Sequence, residues 1–121
     1  MSRHVLVVDD SVTMRDMISF TLEGDGFSVL QAADGVEALA VLEERSVDVV
    51  VTDINMPEID GIELIKAIRA LPNYSYIPVL CLTTETESQT KEMAKQAGAT
   101  AWLAKPFDPD VLIGAVQRVC L

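Results

Sequence analysis

The chain has little that would bind nucleic acid, cross a membrane or carry a disulfide framework. Nine Lys and Arg stand against 19 Asp and Glu in 121 residues, a formal net charge of −10. The basic residues are scattered and form no run. DNA, RNA and anionic membranes favour clustered Lys and Arg, so none of them is an expected partner. Metal cations and basic protein patches fit this charge better. No apolar run approaches the roughly 20 residues that a membrane helix needs. The N-terminus has no basic segment followed by an apolar stretch, so no signal peptide is expected. Only two cysteines occur, Cys81 and Cys120. Cys81 lies in the apolar run VLCLT and reads as a small core residue. Cys120 is next to the C-terminus, and neither has a metal-type neighbour. A reducing, cytoplasmic setting is the simplest expectation.

What is present is enough for a core. Half the residues are hydrophobic, and the length fits one domain over residues 1–121. Five short aliphatic runs recur: HVLVV, FSVLQA, VDVVVTD, IPVLCLT and TAWLAK. Three are nearly continuous Val, Ile and Leu, as expected for parallel strands covered on both faces. Segments of helical spacing lie between them. Met14, Ile18, Thr21 and Leu22 share one face, as do Leu64, Ile65, Ile68 and Leu71. Near the C-terminus Val111, Leu112, Ala115, Val116 and Val119 form another such stripe. Ser11 is placed to cap the first helix and Asp108 the last, with Pro109 in a tolerated first-turn position. The segment from Glu87 to Ala97 has only Met93, Ala94 and Ala97 on its apolar side. It reads as a helix held by little buried area and ended by Gly98, a candidate for movement. Strand and helix thus alternate five times. That implies an open parallel sheet with right-handed crossovers and helices on both faces.

In such a sheet, ligands bind beyond the carboxyl ends of the strands. Asp9 and Asp10 follow the first strand, and Asp53 the third. Thr83 ends the fourth strand and Lys105 the fifth. Acid, acid, hydroxyl and ammonium therefore converge on one edge. Taken singly, each has an ordinary explanation. A strand-end Asp is often a turn former or cap, Thr83 suits a strand, Lys105 suits solvent and Trp102 suits a core. The joint arrangement favours a site. Three carboxylates close together would normally keep one protonated, and a hard dication removes that conflict. Mg²⁺ prefers oxygen ligands, commonly one or two carboxylates with waters and phosphate oxygens. Three acids, one dication and one ammonium cancel formally, so the pocket could accept a phosphoryl group. Asp53, on the central strand, is best placed to be a nucleophile, since carboxylates form acyl phosphates.

These residues resemble the receiver domains of two-component response regulators, closest to the stand-alone chemotaxis type. The carriers are VDDS after strand one, TDINMPEIDG around Asp53, LTTE after strand four and GATAWLAKPF at strand five. The resemblance covers essentially the whole chain. It implies a flavodoxin-like sheet of five strands in the order 2-1-3-4-5 with five helices. It implies that Asp53 is the phospho-acceptor. Asp10 and Asp53 would ligate Mg²⁺ directly, with the backbone carbonyl of Asn55, and Asp9 would act through a water. Mn²⁺ can substitute. Lys105 would contact the phosphoryl oxygens as a compact point charge on a flexible stem. A cis peptide is expected between Lys105 and Pro106, on the resemblance alone, because cis is otherwise a minority X–Pro state.

The implied activity is signalling with self-phosphorylation and autodephosphorylation, outside ordinary enzyme turnover. A phosphohistidine on a histidine kinase of the chemotaxis type would be the donor. Asn55 and Glu85 would line the approach of the hydrolytic water and tune the lifetime of the acyl phosphate. Thr83 would hydrogen-bond a phosphoryl oxygen and draw its loop inward, and an aromatic residue of strand five would follow. That residue is Trp102 here, where Tyr or Phe is usual, and it is bulkier and carries a donor. The output face would comprise the fourth helix, fifth strand and fifth helix of a monomer. A flagellar motor switch is one expected target. Motor-binding relatives tend to have basic or apolar residues along the fourth helix, whereas this chain has Glu87, Ser88 and Lys91. A phosphate sink or relay is the alternative.

Three rivals are weaker. A small-molecule phosphohydrolase of the haloacid dehalogenase type wants an acid two residues after its nucleophile, and Asn55 occupies that place. A flavin-binding module wants a Gly-, Ser- or Thr-rich phosphate turn where this chain has DDSVTM, and would be coloured. A degenerate docking receiver would not need all five site residues.

Overall fold

A computed structural model describes residues 3–120. The ten elements alternate as the aliphatic runs imply. They are β1 (His4–Val8), α1 (Val12–Glu23), β2 (Ser28–Ala32), α2 (Gly35–Glu44), β3 (Val49–Thr52), α3 (Gly61–Arg69), β4 (Val79–Thr83), α4 (Ser88–Ala97), β5 (Ala101–Ala104) and α5 (Pro109–Val119). The strands form one parallel sheet in the order β2-β1-β3-β4-β5, so the flavodoxin-like expectation is met.

The apolar strands are continuous because each feeds two cores. Successive side chains point to opposite faces of a strand. Leu6, Val8, Val50, Val79 and Cys81 face α2, α3 and α4, and meet Leu42, Leu64, Ile65, Ile68 and Ala94. Val5, Val7, Val49, Val51, Leu80 and Leu82 face α1 and α5, and meet Ile18, Leu22, Leu112 and Val116. Most of β1, β3 and β4 is wholly buried. A half-buried strand would alternate with polar residues, and these do not.

The helix starts follow local chemistry. Ser11 Oγ accepts from the Met14 N–H at 3.2 Å, capping α1. Asp60 and Glu63 form a reciprocal capping box on α3. Asp108 accepts from the N–H groups of Asp110 and Val111, with Pro109 opening α5. Gly98 closes α4 at φ 114°, a left-handed conformation suited to glycine.

Two expected core positions are corrected. Val111 is exposed, whereas Leu112 and Val116 are fully buried. Each residue turns a helix by about 100°, and the stripe centres on Leu112, Val116 and Val119, leaving Val111 off its edge. Met93 is 46% exposed, so Ala94 is the one fully buried side chain of α4. The helix is held by even less apolar area than its sequence suggests. It also lacks a side-chain cap at its start.

Candidate functional site

The strand order brings the polar ends together. β1 and β3 are neighbours, so Asp9 and Asp10 emerge beside Asp53. Ligand oxygens of the three carboxylates lie within 4.8 Å of one another. Asp9 and Asp53 are 1% and 8% exposed, and Asp10 faces solvent. Buried acids so close repel unless cations or donors offset them.

Part of the offset is peptide. Asp53 Oδ1 accepts from the N–H of Ile54 at 2.6 Å and of Asn55 at 3.3 Å. Asp9 Oδ1 accepts from the Ser11 N–H at 2.9 Å, so the turn-forming role expected of a strand-end Asp is also present. The rest is Lys105. Its Nζ lies 2.6 Å from Asp9 Oδ2 and 2.8 Å from Asp53 Oδ2. The lysine reaches across the end of β4, which lies between β5 and β3. Burial alone would lower its pKa. The hydrogen bonds to Asp53 and Asp9, and their charges, outweigh burial and hold the pKa above the usual lysine value. The Lys105–Pro106 peptide is cis.

The other expected residues ring this cluster. Thr83 is fully buried at the end of β4, and its Oγ1 accepts from the Glu85 N–H at 3.1 Å. Glu85 turns back on the loop. Its Oε1 accepts from the Glu87 N–H at 3.0 Å, and Asn55 Nδ2 lies 3.5 Å from its Oε2. Trp102 pairs with Cys81 in the sheet and packs, half-buried, on the α2–α3–α4 side. Thr83 follows Cys81 by two residues, so it shares that face. A cavity of about 410 Å³ opens between α4 and β5, lined by Ser88, Lys91, Lys95 and Trp102 among others. It lies away from the acids. The chemistry is at the strand ends, and this hollow is on the helix face.

Two contributors were not singled out by sequence reasoning. Gly61 opens α3 with its N–H donating to the Ile54 carbonyl at 2.8 Å. A Cβ there would collide with the Asp53 carbonyl oxygen and would lie 2.7 Å from Ile54 Cα. Only glycine permits that approach, and the DG after MPEI is its sequence signal. Arg15 on α1 donates from Nη1 to the Asp9 carbonyl at 2.7 Å. Nothing in a surface-facing helix position announces that bond.

The donor set is all oxygen, from three clustered carboxylates, which fits a hard dication of Mg²⁺ type and not a soft metal. The doubly wound fold with acids at the strand ends and a strand-end lysine defines a receiver-type module. Comparison with known proteins agrees. Residues 5–117 match the response regulator receiver domain, and the chain belongs to that family. It is 44% identical over 117 residues to a chemotaxis protein CheY homologue of Campylobacter jejuni, covering 95% of this chain and 90% of that one. It is 43% identical over 110 residues to CheY1 of Helicobacter pylori, covering 89% of each. Among solved structures, CheY4 of Vibrio cholerae superposes with a TM-score of 0.94 at 46% identity, covering 98% and 99%. The chain is a CheY-like receiver domain of a two-component response regulator.

Proposed function

We propose that this chain is a cytoplasmic, single receiver domain over residues 1–121 that takes a phosphoryl group onto Asp53 from the phosphohistidine of a histidine kinase of the chemotaxis type. The observation that carries the reading is Lys105 bridging Asp53 and Asp9 inside a cluster of three carboxylates. Asp10, Asp53 and the Asn55 carbonyl would hold Mg²⁺, with Asp9 through water. When bound, the ion would supply charge neutralisation for the phosphoryl oxygens.

The residues of the chain divide the remaining work. Asp53 Oδ1 is held by two peptide N–H groups, and among the described residues Oδ2 by Lys105. Oδ2 is the attacking oxygen once the lysine shifts. An O–P bond to Asp53 forms as the N–P bond of the phosphohistidine breaks in line, and the imidazole leaves with that electron pair. Lys105 then pairs with a phosphoryl oxygen, so its charge serves both states. Positioning and charge provide most of the acceleration. Thr83 Oγ1 accepts from the Glu85 N–H and can at the same time donate its O–H to the phosphoryl group, which couples the site to the loop before α4. Water later hydrolyses the acyl phosphate, with Asn55 and Glu85 beside its path.

The output is a downstream protein bound on the α4–β5–α5 face of a monomer, and the net charge of −10 favours a basic patch on that partner. The names of the similar Campylobacter and Helicobacter proteins favour a chemotaxis role; a flagellar motor switch is then one target, and a phosphate sink or relay is the alternative. Incubation with Mg²⁺ and acetyl phosphate, followed by intact mass, tests the reading. A gain of one phosphoryl group that EDTA abolishes is expected. No gain, or sustained turnover of a generic phosphate ester, would contradict it.

A further inference from the structure

We propose that Arg15 is a positioning residue for the acid pair, gripping the peptide that joins Asp9 to Asp10 and so setting where the Asp10 carboxylate stands. The inference rests on the Mg²⁺ reading given above.

The first observation is the bond itself. Arg15 Nη1 lies 2.7 Å from the Asp9 carbonyl oxygen, a short charge-assisted hydrogen bond. This carbonyl is beyond the last residue of β1, outside the sheet ladder. Among the described residues no backbone N–H reaches it. Arg15 is therefore its protein partner.

The second observation is what Arg15 leaves alone. The ion pairs among the described residues are those of Lys105 with Asp9 and Asp53. Among the described residues no side-chain nitrogen of Arg15 lies within 4 Å of a carboxylate oxygen, although its bonded carbonyl belongs to an acid. It fixes the backbone and leaves the carboxylate lone pairs open. Lys105 does the opposite and occupies Oδ2 of both buried acids.

The third observation is that Arg15 is itself held. Its Nε donates to Gln31 Oε1 at 3.3 Å. Gln31 Nε2 donates in turn to the buried Ser19 Oγ at 2.9 Å and to Asp16 Oδ1 at 3.4 Å. The chain runs from the α1–β2 contact to the strand end. Asp10 needs such indirect support. It is exposed, and its side chain has no hydrogen bond among the described residues. Its direction depends on the peptide plane before it, and Arg15 fixes that plane from the Asp9 side. Outer-layer partners of this kind tune metal affinity by about 10–100-fold.

The test is calorimetry with MgCl₂ on the full chain as wild type, Arg15→Met and Arg15→Lys, with thermal melts of all three in EDTA. Arg15→Met keeps an apolar stem but cannot donate. It should weaken Mg²⁺ binding about tenfold with the EDTA melting temperature unchanged. Arg15→Lys can still donate to the carbonyl and should recover most of the affinity. Affinity equal to wild type in Arg15→Met overturns the proposal. Tighter binding does too, since Arg15 would then merely repel the ion. A fall in the EDTA melt that accompanies the weakening makes Arg15 a general structural residue and also overturns it. If wild type itself binds no Mg²⁺, the metal reading fails, which is distinct from wild type and Arg15→Met binding alike.

Discussion

Lys105 Nζ donates to Asp53 Oδ2 across 2.8 Å and so ties the end of β5 to the end of β3. The bond spans the whole width of β4. Its loss would leave Asp53 and Asp9 facing one another in a buried pocket without a cation. Breaking a buried pair in this way costs roughly 3 kcal/mol. Lys105→Met should therefore lower stability in EDTA by about that amount, read by urea unfolding. The pH dependence has a definite sign. The lysine pKa is raised in the folded state, so its stabilisation is complete below the ordinary value of 10.5. It fades as pH climbs through the higher folded value. The gap between wild type and variant should hold from about pH 7 to 9, begin to narrow only above the ordinary 10.5, and close as pH passes through the higher folded value. A gap that widens with alkali would contradict the pairing.

Two glycines should respond oppositely to alanine. Gly61→Ala drives a Cβ into the backbone of Asp53 and Ile54, which cannot give way as a side chain can. A loss of about 3 kcal/mol is expected, with weaker Mg²⁺ binding because the Asp53 loop must shift. Gly114 lies inside α5, and a Cβ added there would meet nothing within 4 Å. Gly114→Ala should stabilise by about 0.5–1 kcal/mol. Paired chemical denaturation curves check both.

Cys81 should be nearly inert. Burial, and then the charge of Asp53, push its thiol up to about 12. At pH 8 only about one molecule in 10⁴ then carries the reactive thiolate. Native protein treated with a disulfide reagent should label Cys120, which is half-buried, well before Cys81. Rapid native labelling of Cys81 would mean that β4 opens far more readily than its burial indicates.

Trp102 is the sole tryptophan and lines the α4–β5 cavity. Its fluorescence reports that face without interference. Mg²⁺ with beryllofluoride should shift its emission if the Thr83 loop and β5 move together. An unchanged spectrum, with beryllofluoride binding shown by calorimetry, would make Trp102 a static residue.

The fold was largely legible because its signals are local. Uninterrupted Val, Ile and Leu marked strands covered on both faces, and Ser11 and Asp108 marked helix starts that do cap. The acid cluster was legible because strand ends in a parallel sheet share one edge, whatever the details of packing. Three things were hidden. The rotational setting of α5, which exposes Val111, depends on how the helix seats on the sheet. The need for glycine at position 61 comes from a carbonyl eight residues earlier that only the folded loop brings near. The bond from Arg15 to the Asp9 carbonyl involves a backbone atom, and side-chain patterns do not reveal backbone acceptors.

The most direct measurement localises the phosphoryl group. After reaction with Mg²⁺ and acetyl phosphate, borohydride reduces an aspartyl phosphate to homoserine, and peptide mass mapping finds the changed residue. Conversion at position 53 alone, lost when Mg²⁺ is withheld, is the predicted result. Conversion at Asp9 or Asp10, or none anywhere in a protein that has gained mass, would contradict the assignment of Asp53 as the acceptor.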